Sequence, residues 1–257
     1  SRDWSSDVCS SDLYLWTGFN QLYNELASLH YRSNGEWNCP IVIRMPSGGY
    51  IQGGPYHSQN IEAFLAHCPG LKVVMPSNAA DAKMLLKSAI RDPNPVVFLE
   101  HKALYRQRVF SARPEPTKDE LIPLGKAHIV REGTDLTLIA WGLMVHMASE
   151  VAQKLEDEGI SVEIIDLRTI APLDMETLLI STQKTNKVLI VHEAPLNCGF
   201  GAEVAARLSE EAFEHLDAPI KRLGGKNTCV PYAKHLEDAV LPQKSDLENA
   251  IRTLAHF

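Results

Sequence analysis

The chain reads as an α/β protein with two mostly parallel sheets, and three observations predict it. Apolar runs rich in Val, Ile and Leu (CPIVIRM, LKVVMP, PVVFLEH, DLTLIAW, SVEIIDL, KVLIVHE) alternate with stretches of helical period. Strands joined in this way by helices form parallel sheets with right-handed crossovers, and near-continuous apolar strands such as KVLIV suit a sheet covered on both faces. Between two such series lies FSARPEPTKDELIPLG, residues 110–125, which holds three prolines and mixed charge and reads as a linker.

Each element has its own local reason. Phe19, Leu22, Tyr23, Leu26 and Leu29 recur at helical spacing and predict a helix over 18–33, ahead of the CPIVIRM strand. Ser58 is the candidate N-cap of a helix at 58–67 whose Ile61, Phe64 and Leu65 share one face. LKVVMP follows as a strand. Ser77 is then the candidate N-cap of a helix that places Met84, Leu85 and Ile90 on one side, before PVVFLEH. In the second series, DLTLIAW precedes a helix stopped by Gly159. SVEIIDL, KVLIVHE and PIKRLGG are further strands, with helices near 174–183 and 201–215 and a last one near 244–255.

Composition narrows the function classes. The 257 residues carry a net charge of −7 with a pI of about 5.8 and no basic cluster, which argues against nucleic acid as a partner. No apolar run approaches the roughly 18–20 residues needed to cross a bilayer. Five scattered cysteines (Cys9, Cys39, Cys68, Cys198, Cys229) form no CxxC pair, so neither a disulfide framework nor a zinc site is expected, and a reducing compartment fits.

GGPYHSQNIEAFLAH, residues 53–67, is the segment that points to chemistry. Ligands of open α/β sheets bind beyond the carboxyl ends of the strands. The glycine-rich loop carrying His57 leaves that end of CPIVIRM, so His57 is the candidate functional side chain; His67, further along the helix, reads as structural.

The run YHSQNIEAFLAHCPGLKVVMPSNAADAKMLLKSAIRDPNPVVFLEHKALYR (56–106) resembles the beta subunit of the thiamine diphosphate-dependent 2-oxo acid dehydrogenases. PLGKAHIVREGTDLTLIAWG, EIIDLRTIAPLD, VHEAPLNCGFGAE and VPYAKHLEDAVLP resemble the same family's transketolase-like C-terminal domain. Together they cover essentially 14–257. The resemblance implies a partial pyrimidine-binding domain of the thiamine diphosphate fold over 14–109, a linker at 110–123 and a transketolase C-terminal-like domain over 124–257. Residues 1–13 (SRDWSSDVCSSDL) fit neither the family nor any regular period, and read as an artefact or a disordered tail. The acid that activates the cofactor in the family has no counterpart, so the chain alone is expected to be inactive.

The site residues come with the same resemblance. His57 matches the histidine that lines the place where the cofactor-bound intermediate meets the lipoyl group, and a histidine there can supply or hold a proton near neutral pH. Tyr14 matches the aromatic stacked on the aminopyrimidine. Ile41, Ala89, Asp92 and Asn94 match a structural potassium site, although Asp92 and Asn94 around Pro93 also read as plain turn formers. The Gly199–Gly201 turn is assigned no ligand, because the family holds the diphosphate and its magnesium mainly through an alpha subunit.

Implied partners are that alpha subunit or a fused alpha region, a second beta subunit and a dihydrolipoyl acyltransferase. The implied compartment is the bacterial cytoplasm or the mitochondrial matrix. YHSQ and EHKALYR favour branched-chain 2-oxo acids over pyruvate or acetoin. Two rivals stand beside this reading: a transketolase-like enzyme, expected to carry all its domains in one chain, and a non-catalytic fragment that serves assembly only.

Overall fold

The computed structural model describes residues 5–7, 12–105 and 114–257, with side chains from Leu15 onward. The short strand β1 (Ser5–Asp7) pairs parallel with β2 (Val42–Ser47). This departs from the expectation that 1–13 lacks regular structure: the edge of β2 presents unpaired backbone groups that an extended backbone can satisfy whatever its side chains.

The helix expected over 18–33 is instead broken. A 3-10 turn (Asp12–Gly18), a π-helical turn (Gln21–Leu26) and α1 (Leu29–Arg32) follow one another, with Leu22 and Ala27 buried. After β2 come α2 (Gly54–His57), α3 (Glu62–Ala66), β3 (Lys72–Val74), α4 (Ala79–Arg91) and β4 (Val96–His101). The second series is β5 (His128–Arg131), β6 (Leu136–Ala140), α5 (Leu143–Glu156), β7 (Val162–Asp166), β8 (Thr169–Ala171), α6 (Met175–Thr185), β9 (Val188–Pro195), α7 (Gly201–Glu211), β10 (Lys221–Gly225), α8 (Lys234–Val240) and α9 (Lys244–Ala255).

Two five-stranded sheets result, ordered β1-β2-β4-β3-β8 and β10-β9-β6-β7-β5. Pairing is parallel except at β3–β8 and β5–β7. β8 belongs by sequence to the second series yet closes the first sheet, with Val73 opposite Ala171, so the two series are stitched together. One apolar core runs through both: Met45, Val73 and Leu99 of the first sheet join Ile139, Ile165 and Ile190 of the second. The other face of the second sheet packs under α5 and α9, where Leu138, Ile164, Leu189, Val151, Leu155 and Ile251 are fully or almost fully buried. Truncating one such Leu or Ile to Ala typically costs about 2–5 kcal/mol.

Two expected caps and two expected core positions are corrected. Asn78, not Ser77, caps α4, because its side chain accepts from the Asp81 N–H at 2.9 Å. The Ser77 hydroxyl is used elsewhere. α3 begins at Glu62, after Ile61, so Ser58 does not cap it; Ser58 is the C-cap residue of α2, and its buried hydroxyl has no hydrogen-bond partner among the described residues. Phe64 and Ile90 are exposed at 59% and 49%, while Ile61, Leu65 and Leu85 fill the core. With the helix starting later and running shorter, Phe64 falls on the outer face.

Candidate active site

β2 ends at Ser47 and the chain turns through 48–53 into α2, whose last residue is His57. The imidazole is exposed, beyond the carboxyl end of β2 as expected, and Lys102 Nζ donates to the His57 carbonyl at 2.5 Å. The turn is conformationally unusual: Gly48, Tyr50, Gln52 and Gly54 all have positive φ, +87°, +61°, +58° and +65°. A Cβ at Gly54 would sit 2.3 Å from the Tyr232 ring, so only glycine fits beneath that ring. A cavity of about 340 Å³ opens next to this turn, lined on one side by Pro55, Ser58 and Gln59 and on the other by residues 225–230.

Beneath the turn lies a buried polar cluster. Glu193, at the end of β9, accepts from the Gly49 N–H at 2.5 Å, from Asn60 Nδ2 at 2.9 Å and from His101 Nε2 at 2.6 Å. Burial alone would raise its carboxyl; the pull of the His101 ring and these hydrogen bonds outweigh it and hold the carboxyl below its ordinary value. Glu62 has the opposite balance. It is 1% exposed, it accepts from Trp141 Nε1 at 3.3 Å, and burial pushes its carboxyl up to about 7, opposed by its hydrogen bonds. Trp141 stacks on His192 with ring centroids 5.5 Å apart. Burial depresses His192 to about 4, opposed by a contact with the Ala194 backbone.

A second cluster ties the halves together. Ser77 Oγ donates to Asp166 Oδ2 at 2.5 Å, and Arg168 Nε donates to Asp81 Oδ2 at 2.8 Å. Burial lifts the Asp166 carboxyl to about 6, opposed by the Ser77 hydroxyl, the Arg168 N–H and the Arg168 charge. Charged residues at the ends of apolar strands (VEIID, VLIVHE) were the available sequence signal for Asp166 and Glu193. The same signal, a polar residue closing PVVFLEH, was available for His101, and nothing local marked Asn60.

The remaining expected site residues fall as follows. The Tyr14 side chain lies outside the described residues. Of the four expected cation residues, Ala89, Asp92 and Asn94 lie at the turn after α4, where the Ala89 carbonyl accepts from Asp92 N at 3.2 Å and Asp92 Oδ1 from Asn94 N at 2.9 Å, while the Ile41 carbonyl accepts from Val96 N at 2.9 Å. Lys72 forms an ion pair with Asp92 Oδ2, so an ion at this turn would rely on carbonyl oxygens rather than on that carboxylate. Gly199 and Gly201 make room for the His192 ring, which a Cβ at either would meet at 2.6 or 2.5 Å. His67 is an exposed C-cap of α3. The four described cysteines are free, and no group of three or more His, Cys, Asp or Glu among the described residues stands ready for a metal. No helix among them is long and apolar enough to cross a membrane.

Two stitched α/β units, with a histidine turn between them, define the pyrimidine-binding and C-terminal pair of the transketolase class. Residues 14–108 match the family described as "Transketolase, pyrimidine binding domain" and 125–247 that described as "Transketolase, C-terminal domain". The chain is 46% identical to the 2-oxoisovalerate dehydrogenase subunit beta of Bacillus subtilis, over 95% of this chain and 74% of that one. It is 45% identical to the mitochondrial 2-oxoisovalerate dehydrogenase subunit beta 2 of Arabidopsis thaliana (95% and 67%), and 41% identical to the pyruvate dehydrogenase E1 component subunit beta of Bacillus subtilis (95% and 74%). The chain belongs to the family of 2-oxo acid dehydrogenase E1 beta subunits. A solved structure described as "Split gene transketolase, inactive beta4 tetramer" shares the fold, with a TM-score of 0.73 at 23% identity over 95% of this chain and 73% of that one.

Proposed function

We propose that the chain serves thiamine diphosphate-dependent oxidative decarboxylation of a branched-chain 2-oxo acid, and that His57 acts in acyl transfer to a lipoyl group. The observation that carries this is His57 itself: an exposed imidazole at the carboxyl end of β2, in a chain of this family. Thiamine diphosphate, when bound with its magnesium mainly by an alpha subunit, supplies the electron sink. Tyr14 is assigned to the aminopyrimidine ring. The exposed His57 ring is free to hand a proton to the departing lipoyl sulfur, while the Lys102 contact and the strained turn hold its backbone. The preference for branched-chain substrates rests on the YHSQ and EHKALYR segments, since subunits named for 2-oxoisovalerate and for pyruvate stand at similar identity to this chain.

The partners in this reading are an alpha subunit, a second beta subunit and a dihydrolipoyl acyltransferase, in the cytoplasm or the mitochondrial matrix. A potassium ion on the carbonyls around Ile41, Ala89, Asp92 and Asn94 belongs to it as well, and would raise the melting temperature in potassium chloride over choline chloride. The deciding experiment assembles the chain with an alpha subunit and follows two reactions. His57→Ala is expected to lower acylation of a lipoyl domain by about 100-fold or more, a usual scale for a lost acid–base group, while decarboxylation with an artificial electron acceptor continues. Full lipoyl acylation by the variant overturns the assignment. Capture of the acyltransferase without decarboxylation identifies an assembly subunit instead.

A further inference from the structure

The turn that carries His57 is shaped from the other half of the molecule. Positive φ recurs at alternate positions 48, 50, 52 and 54, and alternation of left-handed residues along a turn is the arrangement that makes anion-binding concavities in other proteins. Two of these positions, Tyr50 and Gln52, are not glycine, and a non-glycine residue in the left-handed region is strained unless its surroundings hold it there. Here the surroundings are carboxylates. Glu237, on α8 and 1% exposed, accepts from the Ile51 N–H at 3.2 Å through Oε1 and from the Gln52 N–H at 3.1 Å through both oxygens. Glu193 takes the Gly49 N–H. Tyr50 Oη donates to the Pro242 carbonyl at 2.7 Å, which anchors the residue between the two carboxylates.

We infer that Glu237 is a positioning residue for His57: its carboxylate is the built-in anion of the backbone concavity at 51–52, and its removal lets the histidine turn relax. The partners lie 185 and 186 residues apart in the chain, so this is a tertiary device. The functional meaning rests on the reading of His57 given above; the geometry does not.

The test uses the chain itself and a free anion. In E237A, amide hydrogen exchange of the 48–58 peptide should rise about tenfold, while peptides from β9 and α9 keep their protection, as expected for a local opening. The rate at which diethyl pyrocarbonate modifies His57, read by mass on the same peptide, should change with it. Sodium formate at about 100 mM, a carboxylate small enough to enter the vacated concavity, should return both towards the wild-type values and leave the wild type unaffected. A formate response would not follow from a lost packing contact. E237Q, which keeps the shape and one acceptor oxygen, should show a smaller rise and carries the test should E237A not fold. Unchanged exchange at 48–58, uniform loosening of every peptide, or no response of E237A to formate would overturn the inference. None of these readouts requires lipoyl acylation, so the loss of His57's catalytic assignment and the loss of this positioning role are separate results.

Discussion

His101 Nε2 lies 2.6 Å from Glu193 Oε2, joining the last residue of β4 to β9 across 92 positions of sequence, with both side chains almost fully buried. Because Glu193 also receives Gly49 and Asn60, its removal strands three donors at once. Breaking one partner of a buried pair typically costs about 3–5 kcal/mol. Glu193→Ala is therefore expected to lose that much stability in urea unfolding followed by circular dichroism. A loss under about 1 kcal/mol, the scale of an exposed pair, would mean water replaces the carboxylate.

Glu62 makes stability fall with rising pH. Its folded pKa of about 7 lies above the ordinary 4.5, so the folded state holds a proton that the unfolded state releases. The contribution is complete below about pH 4.5 and is lost as pH climbs through about 7. Glu62→Gln should therefore raise the melting temperature more at pH 8 than at pH 5. Equal shifts at both values would show that the carboxyl ionises freely in the fold.

His192 works in the opposite direction. Its folded pKa of about 4 lies below the ordinary 6.5, so it is buried neutral, and protonation favours the unfolded chain. Stability is complete above about pH 6.5 and is lost as pH falls through about 4. His192→Phe keeps a ring against Trp141 and removes both titratable ring nitrogens. The variant should hold its melting temperature between pH 6.5 and 4 better than the parent does; parallel pH curves would count against a buried neutral ring.

Gly54 is a steric prediction. A methyl there meets the Tyr232 ring at 2.3 Å in a backbone conformation of φ +65°. Gly54→Ala should cost at least the roughly 1–2 kcal/mol of a left-handed L-residue, with faster hydrogen exchange at 48–58. Ser58→Ala, by contrast, removes a buried hydroxyl with no partner among the described residues and should be close to neutral.

The order of strands and helices was legible in the chain, because alternation of apolar runs and helical periods is a local property. DLTLIAW, SVEIIDL and KVLIVHE were each found where expected, as β6, β7 and β9. Cap positions were less legible: Ser77 and Asn78 are both good capping residues, and the choice fell to Asn78 because Asp166, 89 residues away from Ser77, takes the serine hydroxyl. Phe64 and Ile90 were misjudged for a related reason, since which side of a short helix is covered depends on what packs against it. β8 could not be assigned to the first sheet from a sequence in which it follows the second.

What the chain determines by itself is the α/β class, the two strand series and the placement of His57 after the carboxyl end of β2, all of which follow from near-neighbour periodicity and from glycine and proline punctuation. Tertiary structure alone decides that Glu193 and Glu237 reach the histidine turn, that Glu62 and His192 are shifted in opposite senses, and that the Ser58 hydroxyl goes unpartnered among the described residues. Those outcomes depend on desolvation and on hydrogen bonds between groups that only the packed fold brings within 3 Å or so of each other, and no spacing along the chain encodes them.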